Sequence, residues 1–297
     1  MKLFESKKTG KKLAALPGFE SFYAKPIKLI DPGHIYYHDD GRVFTSVSAF
    51  ISKFKSDFDR DGMSTGTARK RLKERLEREP TFEEIQEEKV IVLAEWDHKA
   101  VRSQDHGTDI HKFLEDYAKG IMPKTKKQLD LCERIYKLSE DCHERHLEKT
   151  VHLEEIEVAG TGDKFLLRNN SRKPVVDIRD YKTNLEKGIE FYSKYGNRMK
   201  GPLSHLECCN YNHYCLQMSI YMYFVEKTYG FEPGNLAIEF ISPDYEVTVI
   251  PCAYMRHEVE AMILYYKEKY YIHSSKKNIV PAADNDDDID VEELFKS

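Results

Sequence analysis

Asp163, Asp180 and Lys182 stand in two apolar runs, DKFLLR and KPVVDIRDYKT, divided by Asn169-Asn170-Ser171-Arg172. Polar turn residues between β-rich runs predict a β-hairpin. With the turn centred between Asn170 and Ser171, Asp163 falls opposite Ile178, and Asp180 lies diagonal to Asp163 on the same face. Strand alternation puts Lys182 on that face as well. Two carboxylates offer hard oxygen ligands that suit Mg²⁺ or Mn²⁺, ions that keep waters and recruit phosphate oxygens. Such an ion lowers the pKa of its water and screens charge on a phosphodiester. A neighbouring lysine orients that water or stabilises the developing negative charge. Two surface acids and a lysine on an exposed hairpin would read the same way, so both readings stand at this point.

Three further groups accompany the hairpin. In GTDIHKFLEDY, His111 and Glu115 are spaced i, i+4 and share a helix face. His213, Gln217 and Tyr221 repeat that spacing along a second helix, either lining a groove for a nucleotide or forming a core face with a polar edge. Residues 66–79, GTARKRLKERLERE, carry six Lys or Arg against three Glu. Arg69, Lys70 and Arg71 there belong either to a solvated face or to a helix that contacts phosphates. Glu155 and Glu157, read as lying on the strand before Asp163, add two carboxylates to the candidates.

The elements that must position these groups follow from turn and cap signals. Asp39-Asp40-Gly41 between IYYH and VFTS predicts a hairpin, and Ser46 caps a short helix. Thr81 and Glu84 are spaced as a capping box, opening a helical stretch to about Lys119 that is broken near Gly107. A further helix is expected over roughly 124–148, followed by three strands, a helix over 207–229, two more strands and a closing helix over 254–274. That order predicts an α/β (α+β) chain with a mixed central sheet flanked by helices. The expected organisation is a basic irregular lead over 1–33, a mainly helical region over 34–150, a core over 151–275 and an acidic, disordered tail over 276–297.

Charge bounds the partners. The net charge of −5 over 297 residues conceals a division, because residues 284–297 hold seven acids against Lys296. The first thirty residues hold seven lysines against Glu5 and Glu20, and the body is close to neutral. A nucleic-acid ligand is therefore compatible with the chain. The tail mixes acids with Ile289, Val291, Leu294 and Phe295, which suits either docking on a basic groove or plain solubilisation. No run approaches eighteen apolar residues, so no membrane partner is expected. Six cysteines without an export signal predict reduced thiols and a cytoplasmic setting.

Taken in series, four motifs resemble the PD-(D/E)XK nuclease superfamily, and within it the RecB-like exonucleases of phages and of mitochondrial genome maintenance. They are GTxxH at Gly107–His111, AGTxD at Ala159–Asp163, DYKT at Asp180–Thr183, and QxxxY at Gln217–Tyr221. The SVSAFISKFKSDFD segment and Trp96 are similar to the lead-in of the phage enzymes. The resemblance covers about residues 35–270 and implies the αβββαβ core of that superfamily with a helical N-terminal elaboration. It implies Asp163 and Asp180 as ligands of Mg²⁺ or Mn²⁺, Lys182 as the catalytic lysine, and His111 as a metal contact, with Glu115 as an additional carboxylate. Gln217 and Tyr221 would support the site, with His213, Tyr181 and Thr183 beside it.

The activity implied is DNA exonuclease, acting in recombination, replication or end processing in a phage setting. Tyr181, Tyr211 and Tyr214 would stack unpaired bases, and the acidic tail would recruit a replication or recombination protein. An endonuclease or nickase on the same fold, and a DNA-binding adaptor, remain as alternatives. No iron–sulfur cluster is expected, because Cys208, Cys209 and Cys215 precede Gln217 and only Cys252 follows. No phosphate loop of the GxxxxGK[ST] type is present, so unwinding would fall to a partner.

Overall fold

A computed structural model describes residues 20–30, 35–139, 141–168, 173–185 and 188–271. The acidic tail, most of the basic lead and the tip of the 163–182 hairpin lie outside the described residues.

An eight-stranded mixed sheet carries the site. After a short helix α1 (Glu20–Tyr23), strands β1 (Ile27–Ile30), β2 (Ile35–His38) and β3 (Val43–Ser46) form an antiparallel meander. Gly41, at φ 87°, makes the turn predicted from Asp39-Asp40-Gly41. β1 falls inside the lead expected to be irregular. Ser46 caps α2 (Val47–Ser52) by accepting from Ala49 N.

Two long helices follow, α3 (Arg60–Leu76) and α4 (Phe82–Ala118), packed through a small core of Ala68, Leu72, Ile85 and Val92. Both halves of the Thr81–Glu84 capping box are formed. α4 does not break at Gly107. A glycine inside a helix costs about 1 kcal/mol relative to alanine, and here its use is closeness. A Cβ at Gly107 would stand 3.3 Å from Thr183 Oγ1, so the missing side chain lets α4 approach the sheet.

The helix expected over 124–148 is shorter. α5 (Lys126–Lys137) gives way to strand β4 (Glu144–Leu153), which among the described residues pairs only with β5 (Val158–Arg168). β4 is an edge, and edge strands carry charges that discourage further pairing. Its ERHLEKT sequence therefore has the composition of a helix. A 3₁₀ turn at Glu154–Ile156 connects the two strands, so Glu155 and Glu157 lie in the connection and not on a strand. They pair with Lys267 and Arg42 respectively.

β5 pairs antiparallel with β6 (Val175–Thr183), and β6 runs parallel to β7 (Glu232–Ile241). The crossover between them is α6 (Asn210–Tyr229), as parallel pairing requires. β8 (Val247–Cys252) and α7 (Arg256–Tyr266) close the chain, and a π turn over Lys267–Tyr271 ends the described part. From Cys215 to Val225 only Gln217 is not buried, because α6 is packed against the sheet and α7. The main core gathers around it, with Phe22, Phe50, Phe165 and Phe231 fully or almost fully enclosed. A second core of Ile110, Leu114, Leu131, Ile135, Tyr181 and Ile241 seats α4 and α5 on the sheet. Among the described residues no helix is long and apolar enough to cross a membrane.

Beneath Tyr181 lies a buried ion cluster. Lys164 Nζ donates to both oxygens of Glu239, at 2.9 and 2.7 Å, and Arg179 reaches the same carboxylate at 3.4 Å. Glu239 is fully buried and Lys164 is 1 % exposed. Removing one partner of such a pair strands a charge and costs about 3–5 kcal/mol, whereas apolar replacement of both is far milder. Urea unfolding of Glu239→Gln is expected to show a loss of about that size. Combining Lys164→Met with Glu239→Leu should recover most of it.

Candidate active site

The site lies where the sheet forks. β4 occupies one edge of β5 along nearly its whole length. The opposite edge is shared, since β3 pairs at Val158 and Ala159 while β6 pairs from Lys164 onward. Between them Gly160-Thr161-Gly162-Asp163 has no strand partner on that side. Backbone polar groups there still need partners. Thr161 N donates to Tyr36 Oη at 3.1 Å, and Tyr221 Oη donates to Thr161 O at 3.1 Å. Gln217 Nε2 donates to Tyr221 Oη at 3.0 Å, which fixes the direction of that hydroxyl. The Gln217–Tyr221 pair thus replaces a missing strand.

The two glycines admit the rings that do this. A Cβ at Gly160 would stand 2.6 Å from Tyr221 Cε1, and one at Gly162 would stand 2.7 Å from Phe165 Cε2. Gly162, where a β-branched residue would make a firmer strand, is therefore demanded by packing.

Phe165 pairs with Ile178 and Lys164 with Arg179, so the hairpin is centred one residue further along than the turn residues suggested. Continued by count, Asp163 falls directly opposite Asp180. The ladder stops short of that pair, and the Asp163 carboxylate itself accepts from Tyr181 N at 2.6 Å. His111 Nδ1 on α4 lies 3.5 Å from Asp163 Oδ1. Lys182 forms an ion pair with Asp180 Oδ2, and its Nζ stands 5.0 Å from the centre of the Tyr214 ring.

A third carboxylate joins these, and it is not the one expected. Glu148 interrupts the β4–β5 register between the pairs Leu147–Lys164 and Lys149–Gly162. Its φ of 47° is left-handed, a conformation that costs a non-glycine residue of order 1 kcal/mol and concentrates at functional sites. One ligand atom each from His111, Glu148 and Asp163 lie within 4.8 Å of one another. Glu115 instead pairs with Lys119 at 2.5 Å. No motif marked Glu148. Its signal was positional, because counting β4 against β5 sets it opposite Asp163.

The electrostatics follow from this crowding. Burial, and then the charge of Asp180, pushes the Asp163 carboxyl up to about 6 against the pull of His111 and Lys182. Glu148 is pushed up to about 8, by desolvation first and then by Asp163, Glu115 and Asp180. Burial works against the Lys182 ammonium, but Asp180 and Asp163 outweigh it and hold its pKa above the usual lysine value. Asp180 Oδ2 is buried and takes no well-aligned hydrogen bond beyond its contact with that ammonium. Three carboxylates and an imidazole, short of positive charge, fit a divalent cation.

The remaining candidates have other roles. Tyr181 is 5 % exposed, edge-on to His111 at 5.6 Å and 5.1 Å from Lys164 Nζ, so it is packed and unavailable to stack a base. Tyr211 Oη donates to Pro251 O. Thr183 lies at the α4 contact. His213 Nε2 is 3.3 Å from Cys208 Sγ, and burial lowers its pKa to about 4. Arg71 pairs with Glu95 at 2.7 Å, and Arg75 pairs with Glu88 at 3.0 Å. These cations of α3 join it to α4, whereas Arg69 and Lys70 are exposed.

No family model and no curated protein matches the chain. Among solved structures, it is similar to a "Putative exonuclease" from Eubacterium rectale, with 13% sequence identity and a TM-score of 0.34. The match covers 65% of this chain and 79% of that one.

Two measurements test the local physics. Tyr221→Phe leaves the buried Thr161 carbonyl without its donor, and thermal unfolding should show a loss of about 1–2 kcal/mol. His213 has a folded pKa below its unfolded value, so the unfolded chain binds the extra proton and stability falls as pH drops from about 6.5 to 4. The stability lost between pH 7 and pH 4 should be smaller in His213→Gln by roughly 2 kcal/mol.

Proposed function

We propose that the chain is a metal-dependent deoxyribonuclease of the PD-(D/E)XK type, of the RecB-like branch, that removes nucleotides from DNA ends. One observation carries the reading: Asp163, Asp180 and Lys182 converge with His111 and Glu148 at a fork held open by Gln217 and Tyr221. Asp163, Asp180, Glu148 and His111 are the residues that would hold Mg²⁺ or Mn²⁺. When bound, such an ion supplies Lewis acidity toward a water and a phosphodiester oxygen.

The chain's own groups do the remainder. Lys182 is held in an ion pair with Asp180, and the carboxylates beside it raise its pKa against the effect of burial. Its ammonium is the group that would stand as cation and donor toward a scissile phosphate. Asp180 positions that ammonium, and Asp163 is pinned by Tyr181 N–H so that its other oxygen faces His111. Stacking of unpaired bases passes from buried Tyr181 to Tyr192 and Tyr195, which are 76 % and 63 % exposed in the segment after β6. DNA is the partner in this reading. A replication or recombination protein would take the acidic tail, in the cytoplasm and in a phage setting.

End-labelled linear DNA and covalently closed circles, incubated with Mg²⁺, Mn²⁺ or EDTA, test the proposal. Linear DNA should be lost only with metal, circles should survive, and Lys182→Ala or Asp180→Asn should slow cleavage by about 100-fold or more. Cut circles would make the protein an endonuclease. Salt-sensitive DNA binding without cleavage would make it an adaptor and overturn the assignment.

A further inference from the structure

A second group of metal-ligating side chains lies away from the fork. His38 ends β2, His152 lies near the end of β4, and Glu154 opens the 3₁₀ turn that follows. One ligand atom from each lie within 4.8 Å of one another. Glu154 Oε1 is the focus, 3.7 Å from His38 Nε2 and 3.8 Å from His152 Nε2. His152 pairs with Ala159 on β5, four residues before Asp163, so the two sites stand about 13 Å apart along the strand.

The surroundings are those of a built site. His38 Nδ1 is 2.8 Å from Asp40 Oδ1 and 3.2 Å from Asp40 N. The Asp40 backbone N–H donates to His38 Nδ1 and the Asp40 carboxylate stands at the same nitrogen, so the ring is oriented with Nε2 toward Glu154. A carboxylate behind a ligating histidine is the usual outer support of a metal. Phe44 stacks on the His38 ring at 5.6 Å and 9° and meets His152 edge-on at 6.0 Å. Both imidazoles are thereby held in place. Arg42 reaches the other oxygen, Glu154 Oε2, at 3.6 Å and also binds Asp40. Oε1 is left to the histidines.

We propose that His38, His152 and Glu154 bind one Zn²⁺, which staples the β1–β3 meander to the β4–β5 turn. Bonds of about 2.0–2.1 Å at tetrahedral angles set ligand atoms about 3.4 Å apart. Each histidine therefore need approach Glu154 Oε1 by only a few tenths of an ångström from 3.7 and 3.8 Å, and all three ligand atoms already lie within 4.8 Å of one another. Two imidazoles and one carboxylate select zinc over magnesium, which demands oxygen ligands in octahedral geometry. The fourth position faces solvent beside Glu154, whose side chain is 58 % exposed, and takes water.

The test uses the full chain, stripped with a chelator and titrated with Co²⁺ and then Zn²⁺ in excess Mg²⁺. One Co²⁺ per chain should bind with a visible spectrum of low coordination number, be displaced by Zn²⁺, and raise the unfolding temperature. Glu154→Gln, an exposed change that spares the fold, should weaken Zn²⁺ binding about ten-fold or more, and Asp40→Asn should weaken it about ten-fold. Asp163→Asn should leave it intact. Unchanged affinity in Glu154→Gln, loss of binding in Asp163→Asn, a sulfur-to-cobalt charge-transfer band, or no binding at all would each overturn the assignment. None of these readouts depends on nuclease activity.

Discussion

A β-strand whose edge loses its partner for four residues leaves backbone donors and acceptors that burial makes expensive. β5 is in that position from Gly160 to Asp163, where β3 has ended and β6 has not begun. The hydroxyls of Tyr36 and Tyr221 answer Thr161, and the Asp163 carboxylate answers the Tyr181 amide that a continuous ladder would have bonded. Much of the site follows from this one constraint. Tyr221 must reach the strand, so Gly160 and Gly162 have no side chains. Gln217 must orient that hydroxyl, so it stands one helical turn before it. His111, Glu148 and Lys182 bring their polar ends to the two aspartates beside this fork.

Charge is arranged in alternation along the same strands. Asp163 is followed by Lys164, and Asp180 and Lys182 flank Tyr181. The acids crowd at the fork, while Lys164 is drawn into the pair with Glu239 and Arg179. Tyr181 stands between these groups, with His111 against its ring edge and Lys164 Nζ 5.1 Å from its centre. A buried ion pair adds little net stability compared with apolar packing. Here it directs: Lys164 is committed to Glu239, so it does not neutralise the carboxylates next to it in sequence. Asp163 and Glu148 stay crowded, and burial first and then the neighbouring carboxylates hold their pKa values up.

The hairpin of Asp163 and Asp180 was legible in the sequence because its strands alternate and its turn is polar. The β2–β3 turn and the caps at Ser46 and Thr81 were legible for equally local reasons. What escaped was set by tertiary context. β4 looks helical because an edge strand is charged, and with β4 went Glu148, whose left-handed backbone no composition announces. The expected break at Gly107 rested on helix propensity, which yielded to the approach of Thr183. Tyr181 read as an accessible aromatic because its motif neighbours are functional, yet the core that seats α4 and α5 on the sheet encloses it. The hairpin centre was missed by one residue, which moves each partner by two, so the face is preserved and the two aspartates fall opposite each other rather than diagonal.

α4 links these local facts over a distance. Its 37 residues extend about 55 Å, from the capping box at Thr81 to Ala118. Its C-terminal turns are fixed to the sheet by Ile110 and Leu114, and Gly107 brings the backbone against Thr183. Its N-terminal turns carry α3, joined by the Arg71–Glu95 and Arg75–Glu88 pairs and by their own small core. His111 sits one turn after Gly107, on the part of the helix that is clamped. The imidazole is therefore referenced to the β6 strand that bears Asp180 and Lys182, and not to the distant α3 arm. The continuity of α4 through Gly107 ties the α3 arm to that same clamp, so the placement of the arm and of His111 is set from one region of the sheet.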